Sequence, residues 1–491
     1  MIKTKLKYKT KKIAITDFSV DKLEDDIVQD KAKCVSLYNF DVSGGTIKKG
    51  LGVRRLMVYD SNDFDSVQYG LDYKVLGLSH FNKVMHFKQY FPSSGDTTHR
   101  LLIHGSDGKL YLYQMFSNLN TPNWAYELQF DSIPAVLEYK KDGLDSILIS
   151  STDKLVVWST GKTPYEITGI PTITSMCVCN DELFCTIAGE SDKIWYTSSL
   201  DPEKLGVESD ETKFLIMEGS AGDGRKIVKL KENMYVFCDY GIGRINTYAN
   251  DEPTYNQIYL TNGQICPNSV VVCGDFVMFL TRDGLYRFNG ASVTRIYSID
   301  NLLRKSFNDN AVATVLNDYY YLALNVDFGE GEVVGCEFMN EYVNNVIVKL
   351  DINDYSFEII RGVDVKDMLA LKAGVDEKVV LTFNTFNADE IGEICDEGQQ
   401  FGVYVDSGYI TNYISPENFQ PITIRKININ SSGVVAITII TDKERFTFFN
   451  NADGVISHQT IIPCNKFKLK IKTSDSQVCV RYVEIEYETQ I

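Results

Sequence analysis

The sequence lacks several features that would place the chain in a common functional class. It contains only three Trp and five His residues among 491, and none of its eleven Cys residues forms a Cys-x-x-Cys pair. No apolar run reaches the roughly 20 residues of a membrane-spanning helix. No apolar segment follows the basic N-terminus, as a secretory signal would require. These absences predict a chain without a membrane segment, synthesised in a reducing compartment.

Basic residues are too few for the chain to wrap nucleic acid. The 49 Lys and Arg residues face 66 Asp and Glu, so the formal net charge is −17. Tight binding to nucleic acid depends on cations that displace counterions from phosphates, so the average surface is expected to repel DNA. The exception is an alternating basic N-terminus: Lys3, Lys5, Lys7, Lys9, Lys11 and Lys12. Such a segment is usually a solvated edge strand or a flexible end, and contact with an anionic partner is the alternative. These six lysines are the candidate assembly contacts.

The motifs of catalysis and cofactor binding are also missing. There is no GxSxG elbow, and the repeats described below contain no His after His104, so no Ser-His-Asp triad is available around them. The Gly-rich phrase at Gly219 lacks the Gly-Lys-Ser/Thr ending of a phosphate loop. Paired carboxylates for glycoside cleavage stay open, since their spatial pairing is invisible in a sequence. The sequence predicts no catalytic residue and no cofactor.

Two clusters invite a metal hypothesis, but neither has a full set of ligands. Four histidines lie close together in the sequence: His80, His86, His99 and His104. They lack the HxH or HExxH spacing that places donors on one ion. The phrase DINDYSFE at Asp351 offers oxygen donors without the Gly and bidentate Glu of a calcium loop. No metal site is predicted, and DINDYSFE is interpreted as a turn between strands.

The sequence is rich in short segments in which apolar and polar residues alternate, as they do in β-strands. A polar turn followed by alternating apolar and aromatic residues recurs seven times: FNKVMHFK at Phe81, KDGLDSILIS at Lys141, NDELFCTI at Asn180, KENMYVFC at Lys231, GDFVMFL at Gly274, NDYYYLAL at Asn317 and DEKVVLTF at Asp376. Each phrase lies between two further apolar strands, which indicates consecutive antiparallel meanders. A lone meander cannot bury both of its faces, so the repeats must pack on each other.

A spacing of roughly 40 to 60 residues between all-strand repeats is typical of a β-propeller. The predicted fold class is therefore all-β: a propeller of about seven blades, with six possible. Residues 1–60 form an N-terminal arm, 61–405 the propeller, and 406–491 a C-terminal β-sandwich-like sheet of five strands. We expect a short amphipathic helix over 298–307 and a polar insertion over 328–345 that is mobile or ordered by a partner.

Three phrases resemble a known family. SLYNFDVSGGTIKKGLGV at Ser36, KIWYTSSLDPEKL at Lys193 and GLYRFNGASVTRIYSIDNLLRKSF at Gly284 are similar to phrases of the β-propeller tail nozzle, or tail-stabilisation, proteins of short-tailed bacteriophages. The patterns are degenerate and cover roughly the first 400 residues. The sequence departs from the family in its short arm and in the absence of a long insertion that could form a gate.

The resemblance implies a structural virion protein without enzymatic activity. It implies a homo-oligomer, expected to be a hexameric ring, that contacts a portal or adaptor ring and other tail proteins. DNA would pass through transiently and without sequence specificity, and an acidic wall would limit friction with phosphates. The implied location is the virion tail, after assembly in the host cytoplasm.

Two alternatives remain from other classes. The 29 Tyr and 26 Phe residues are compatible with a carbohydrate-binding or carbohydrate-cleaving propeller at a tail tip or cell surface, because sugars stack on aromatic faces. Alternation within the strands places most of these rings in the core instead. A scaffold propeller of the WD type ranks lower, since the expected Trp-Asp repeat is missing.

Overall fold

The computed structural model describes residues 8–490 except 19, 21, 30, 59–67, 70–80, 116–127, 198, 206–212, 220, 249–250, 330–331, 340, 374–375, 385–388 and 401–402. All eleven cysteines are free thiols, nine of them buried. Within the described ranges no helix has the length and apolarity to cross a membrane.

The N-terminal part of the chain is a series of short strands. They are β1 (Tyr8–Ile15), β2 (Val28–Gln29), β3 (Cys34–Tyr38), β4 (Phe40–Asp41), β5 (Ile47–Lys49), β6 (Gly52–Arg55), β7 (Met57–Val58) and β8 (Gln68–Tyr69). β7 pairs with β8 and β4 with β5, whereas β1, β2, β3, β5 and β6 pair with strands from the C-terminal half of the chain.

Seven sheets follow in series, all antiparallel except for one short parallel pairing in the seventh, and the first four occupy residues 81–260. The first contains β9 (Phe81–Phe91), β10 (Asp96–Gly105) and β11 (Leu110–Met115). The second contains β12 (Ala135–Lys141), β13 (Leu144–Ser151), β14 (Lys154–Ser159) and β15 (Tyr165–Thr168). The third contains β16 (Ile173–Cys179), β17 (Glu182–Ile187), β18 (Glu190–Tyr196) and β19 (Lys213–Ile216). The fourth contains β20 (Gly224–Leu230), β21 (Asn233–Cys238), β22 (Gly241–Tyr248) and β23 (Asp251–Leu260).

The remaining three sheets complete the series. The fifth contains β24 (Val271–Cys273), β25 (Phe276–Thr281), β26 (Gly284–Phe288) and β27 (Val293–Ile296). The sixth contains β28 (Val312–Leu316), β29 (Tyr319–Leu324), β30 (Val346–Asp351) and β31 (Phe357–Arg361). The seventh contains β32 (Asp364–Ala373), β33 (Asp376–Asn384) and β34 (Asp389–Cys395), and it continues through β6 to β35 (Gln399–Gln400) and β36 (Val403–Tyr404). These sheets are the blades of a β-propeller, so the predicted fold class is confirmed.

Local sequence explains why the blades are meanders. The β12–β13 hairpin turns at Asp142 and Gly143, whose φ angles of 52° and 77° are those of a type I′ turn. Asn180 and Asp181 adopt φ angles of 50° and 62° at the β16–β17 turn. Between such turns the middle strands are almost wholly buried, as β25 is along its entire length. Turn residues therefore set the register, and burial on both faces explains the continuous apolar runs.

Neighbouring blades pack through aromatic and aliphatic side chains. Phe237 of the fourth blade and Phe279 of the fifth lie with ring centroids 5.3 Å apart in an edge-to-face arrangement. Both side chains are fully buried. Edge-to-face packing adds to the area that such rings bury, so the blades stabilise each other rather than fold as separate sheets.

The ring is closed by the N-terminal segment. β6 pairs with β34 in antiparallel register, with Val53 opposite Ile394 and Gly52 opposite Cys395. The last blade thus takes its fourth strand from the start of the chain. On the inner side, the backbone N–H of Val84 in β9 donates to the Asp367 carboxylate in β32. The first and seventh blades are joined directly at their inner strands, and β6 fixes the start of the chain to the outer part of the seventh blade.

The last part of the chain forms a two-sheet sandwich. Its strands are β37 (Ser407–Thr411), β38 (Tyr413–Ile414), β39 (Ile422–Ser432), β40 (Val435–Thr441), β41 (Arg445–Asn450), β42 (Gly454–Cys464), β43 (Phe467–Thr473) and β44 (Cys479–Gln490). One sheet has the order β4-β5-β44-β39-β42, with β1 also on β44. The other has the order β2-β38-β43-β37-β3, and β40 joins β43 to β41. Alternating Ile residues of β39 and β40 fill the space between the sheets.

The structure revises the predicted organisation at several points. Residues 1–60 were expected to form a separate arm, but the described part supplies β1 to β5 to the sandwich and β6 to the propeller. The helix expected over 298–307 is one turn, α1 (Asp300–Leu303), and Phe307 is 65% exposed rather than packed. The C-terminal region contains β37, β38 and β42 in addition to the five predicted strands. FNKVMHFK is the inner strand of its blade rather than the middle one.

The polar insertion at 328–345 is held by contacts within the chain. Its 3-10 turn, Gly335–Phe338, places Glu337 against the Arg361 guanidinium, with Nη2 and Oε2 2.8 Å apart. Both side chains are 7% exposed. The expectation of a mobile or partner-ordered insertion does not hold for this turn, because a buried ion pair orders it.

Candidate functional site at the propeller axis and the sandwich edge

The predicted lysine contacts fall into two groups. Lys3, Lys5 and Lys7 lie outside the described residues. Lys9, Lys11 and Lys12 lie on β1, an edge strand that pairs with β44. Lys11 Nζ is 2.6 Å from Glu417 Oε1, and Lys12 Nζ is 3.0 Å from Glu486 Oε1. Two of the lysines are therefore paired within the chain, and their role in assembly stays a prediction.

The opposite edge of the same sheet has a different character. β42 pairs with β39, and β41 pairs with β40; among the described residues no other strand joins either of them. From Phe446 to Cys464 the only Asp, Glu, Lys or Arg is Asp453. Val455, Ile461 and Phe449 are 53%, 70% and 61% exposed. An edge strand that carries no charge is open to pairing with another strand, whereas lysines such as those of β1 protect an edge.

Charged side chains also lie on the inner strands of the propeller. Lys83 of β9, Lys226 of β20 and Asp367 of β32 are each partly buried on inner strands of the first, fourth and seventh blades. Loss of hydration, followed by repulsion from Lys83, lowers the pKa of Lys226 to about 8. Loss of hydration likewise raises the pKa of Asp367 and lowers that of Lys83. A Lys or Asp within an otherwise apolar strand is the feature of the sequence that could have predicted these charges.

The inner strands are joined to each other by side-chain acceptors. Ser175 Oγ accepts from the Ile227 N–H at 3.0 Å, which links the third and fourth blades. Thr314 Oγ1 accepts from the Ala370 N–H at 2.9 Å, which links the sixth and seventh. The inner edge of a blade has no further strand to pair with, so its N–H groups need other acceptors. Asp367 has the same role toward Val84 at the point where the ring closes.

The junction between propeller and sandwich is built around Arg361. Its guanidinium pairs with Glu337 and lies over the rings of Phe328 and Tyr38, 3.7 Å and 4.8 Å from their centroids. The Arg361 backbone N–H donates to Asn39 Oδ1 at 2.8 Å. Asn39 Nδ2 in turn donates to the Asp406 carbonyl at 2.8 Å. Residues far apart in the sequence thus fix the last blades against the sandwich.

The histidine and turn motifs acquire simple structural roles. His86 and His99 lie on adjacent strands with ring nitrogens 3.0 Å apart. His104 Nε2 is 3.2 Å from the Phe130 carbonyl oxygen, and His80 lies outside the described residues. Asp351 accepts from the Asn353 N–H at 2.7 Å, as expected of a turn. Among the side chains that the structure describes, no group of three His, Cys, Asp or Glu is arranged to hold a metal ion.

Many aromatic side chains lie in the core, as the alternation predicts. The twelve largest fully buried side chains among the described residues are all Tyr or Phe: Tyr235, Tyr320, Phe18, Phe40, Phe81, Phe87, Phe130, Phe184, Phe237, Phe279, Phe288 and Phe383. These rings pack between blades or within the sandwich and are not accessible to a sugar.

Comparison with known proteins adds information on the fold alone. No protein-family model and no curated protein matches the chain. Among solved structures, BBS1N in its complex with ARL6DN aligns with a TM-score of 0.41 at 12% identity, covering 64% of this chain and 93% of that one. The AfRom2 CNH domain aligns with a TM-score of 0.38 at 9% identity, covering 65% and 96%. The N-terminal domain of Nup159 aligns with a TM-score of 0.37 at 11% identity, covering 76% and 99%.

Proposed function

We propose that this chain is a structural subunit of the tail nozzle of a short-tailed bacteriophage, where copies form a ring that conducts DNA during ejection. The observation that carries the proposal is the unpaired edge formed by β41 and β42, which we call the sandwich edge. Its two strands and the turn between them contain two formal charges, Arg445 at the start of β41 and Asp453 in the turn, in a chain whose net charge is −17, and β42 itself contains none. The proposed occupant of this edge is a strand from a second copy of the chain.

Electrostatics favours this edge as the contact between copies. Paired strands lie about 4.8 Å apart, and like charges directly opposite each other destabilise the pair. Two acidic chains therefore approach most easily along a surface without charge. The outward side chains of β42 include Val455 and Ile461, both exposed, so pairing would also remove apolar surface from water.

A ring requires that β42 of one copy contact a different surface of the next copy, because pairing of β42 with a second β42 would give a two-fold dimer. β42 is uncharged along its length, whereas β1 at the other edge carries Lys9, Lys11 and Lys12. A contact between two different surfaces is head-to-tail, and it closes into a ring when the rotation between copies allows. Six copies is the number that the resemblance to the nozzle family implies.

The net charge supports the proposed conduit. A ring of chains that each carry −17 would present an acidic wall to DNA. Repulsion at short range keeps the phosphates from binding to that wall, which lets the duplex slide. The axial lysines of the propeller are partly buried and are therefore not part of such a wall.

The test is the mass of the purified chain in solution, by native mass spectrometry and sedimentation. We expect a closed oligomer in the wild type and a shift to monomer when Val455→Lys and Ile461→Lys are combined. The control is Ile133→Lys, at an apolar position 61% exposed but outside the sandwich edge.

Three outcomes decide the proposal. A ring that the edge variant dissociates, and that binds a purified portal or adaptor ring, supports it. A wild-type chain that stays monomeric at high concentration and inert toward tail proteins overturns it. A monomer that binds glycans would instead favour the carbohydrate-binding alternative.

A further inference from the structure

The sheet that contributes β42 to the sandwich edge has β1 on its other side. Ile485 of β44 lies opposite Ile13 of β1 on one side and opposite Ile427 of β39 on the other. Beyond β39 the next strand is β42, where His458 lies opposite Ile427. Among the described residues no strand pairs with the outer edge of β1. β1 and β42 therefore each offer an unpaired edge, on opposite sides of one sheet.

The directions of the strands decide how these two edges can meet. In the order β1, β44, β39 and β42, each strand is antiparallel to the next. β1 and β42 therefore run in opposite directions. A second copy placed alongside in the same orientation would bring its β1 antiparallel to β42, so the alternation of the sheet would continue across the contact. Every copy would then use β42 toward one neighbour and β1 toward the other, as a head-to-tail ring requires.

The charges of β1 restrict which strand can pair with it. Its charged side chains are all lysines: Lys9, Lys11 and Lys12. Pairing of β1 with a second β1 would place lysines opposite lysines, and like charges on paired strands destabilise the pair. β42 contains no Asp, Glu, Lys or Arg, so it opposes these lysines with no like charge. The lysines disfavour pairing between two β1 strands and leave β42 as a compatible partner.

A row of outward side chains across the sheet shows the same compatibility. The row runs from Lys12 through Glu486 and Lys426 to Gln459. Glu486 Oε1 is 3.0 Å from Lys12 Nζ and 3.8 Å from Lys426 Nζ. Charges of opposite sign thus alternate along the row, and the row ends at an uncharged residue on β42. When it continues into Lys12 of a second copy, Gln459 separates that lysine from Lys426, and no like charges lie on adjacent strands.

We propose that β42 of each copy pairs in antiparallel fashion with β1 of the next copy, so that this sheet of the sandwich continues from copy to copy around the ring. The inference rests on the proposed function, because it names the surface that receives β42. It gives the lysines of β1 a common role, since they border the contact and disfavour pairing of β1 with itself. The exposed side chains of Val455 and Ile461 would lose contact with water in the same interface.

The experiment determines which sign of charge on β42 the partner surface accepts. Three double variants of the full-length chain are compared: Val455→Lys with Ile461→Lys, Val455→Gln with Ile461→Gln, and Val455→Glu with Ile461→Glu. All three lose the same apolar side chains, so they differ in charge. Sedimentation and native mass spectrometry give the dissociation constant between copies.

We expect the lysine variant to associate about tenfold more weakly, or worse, than the glutamine variant, because it places like charges opposite the lysines of β1. The glutamate variant should associate at least as tightly as the glutamine variant. Higher salt should reduce both differences, since it screens exposed charges.

A second set of variants tests β1 itself. Lys9→Gln with Lys12→Gln should remove the difference between the lysine and glutamate variants of β42. The matched control is Lys109→Gln with Lys162→Gln, which removes two exposed lysines of the propeller and should leave that difference intact. A difference that survives the loss of Lys9 and Lys12 would overturn β1 as the partner.

The order of the β42 variants separates this inference from the proposed function. If the glutamate variant is the weakest, the partner surface is acidic, and the inference fails although the ring stands. If the lysine and glutamate variants are weakened equally, β42 faces a second β42, which also overturns the inference. A wild-type chain that stays monomeric at high concentration contradicts the proposed function itself.

Discussion

The Asp367 carboxylate accepts a hydrogen bond from the Val84 backbone N–H, with Oδ2 and N 3.0 Å apart, and so joins the last blade of the propeller to the first. The two residues are 283 positions apart in the sequence. The acceptor comes from an inner strand, and the N–H it satisfies belongs to the inner edge of the next blade. Ring closure thus depends on a polar contact at the axis as well as on the strand supplied by the N-terminus.

Replacing Asp367 should separate the hydrogen bond from the charge. Asp367→Ala removes the acceptor of the Val84 N–H, and Asp367→Asn keeps an acceptor oxygen without the charge. We expect Asp367→Ala to be less stable than Asp367→Asn by about 1 kcal/mol, the net value of one such bond. Denaturant unfolding measures the difference. Asp275→Ala, at a side chain 82% exposed, should change stability little, and equal stability of the two Asp367 variants would contradict this role.

The pairing of β6 with its neighbours in the seventh blade depends on the small size of Gly52. A Cβ atom at this position would lie 2.0 Å from the Gln399 carbonyl oxygen, a backbone atom that cannot move aside alone. Gly52→Ala should therefore push β6 away from its neighbours and lower the free energy of unfolding by about 1–3 kcal/mol. Gly44→Ala is the matched control, because nothing lies within 4 Å of its Cβ position. Limited proteolysis near residue 55 should accelerate in Gly52→Ala alone; equal rates in both variants would count against the closure.

The sequence predicted the middle of each blade better than its ends. Six of the seven repeated phrases are middle strands, because burial on both faces produces an apolar run next to a turn. The outermost strands β15 and β19 were not predicted, since they are largely exposed and carry mixed residues. β23 and β31 were also not predicted, although β31 is mostly buried. The pairing of β6 with β34 was also missed. Nothing local in Gly52–Arg55 states that its partner lies more than 300 residues away.

The candidate sites were also difficult to predict from the sequence alone. Lys226 follows Arg225 in an ordinary strand, and only the closed ring places that strand on the inner side of the fourth blade. β42 was missed because GVISHQTIIPC alternates weakly and contains Pro463. Such a strand sits at a sheet edge, where a missing N–H is tolerated. Features that depend on long-range pairing or on symmetry of the fold were therefore beyond the sequence patterns.

The buried ion pair at the junction should be worth more than an exposed pair of similar length. Removing the charge of Glu337 by Glu337→Gln leaves the Arg361 guanidinium buried without a counter-ion. We expect a loss of about 3–5 kcal/mol in the free energy of unfolding. The comparison is Asp309→Asn, which breaks the Arg282–Asp309 contact at 2.6 Å between side chains that are 57% and 70% exposed, and should cost less than about 1 kcal/mol.

A double-mutant cycle completes that measurement. Arg361→Met combined with Glu337→Gln should be less destabilised than the sum of the two single variants, because the double variant leaves no unpaired charge in the junction. Additive losses would show that the two side chains do not interact. The same double-mutant cycle on the exposed Arg282–Asp309 pair gives the coupling energy for comparison.

Stability should depend on pH through Lys226. Its pKa of about 8 in the folded chain lies below the ordinary value of 10.5, mainly through burial and then through repulsion from Lys83, opposed by Asp367 and the Cys177 thiol. Between these two values the unfolded chain binds a proton that the folded chain has released, so this residue's contribution to stability rises with pH. Below pH 8 both states are protonated, and the folded state holds a charge that burial disfavours.

Lys226→Met removes that cost, so the variant should be more stable than the wild type at pH 7 by about 1–3 kcal/mol. The advantage should shrink as pH rises from about 8 to about 10, because the wild-type lysine then becomes neutral in the folded state. Denaturant unfolding of the wild type and the variant at each pH across this range measures the difference in stability. The contributions of the other titrating groups are the same in both proteins and cancel in that difference. A difference that stays constant with pH would mean that the Lys226 ammonium is fully hydrated in the channel.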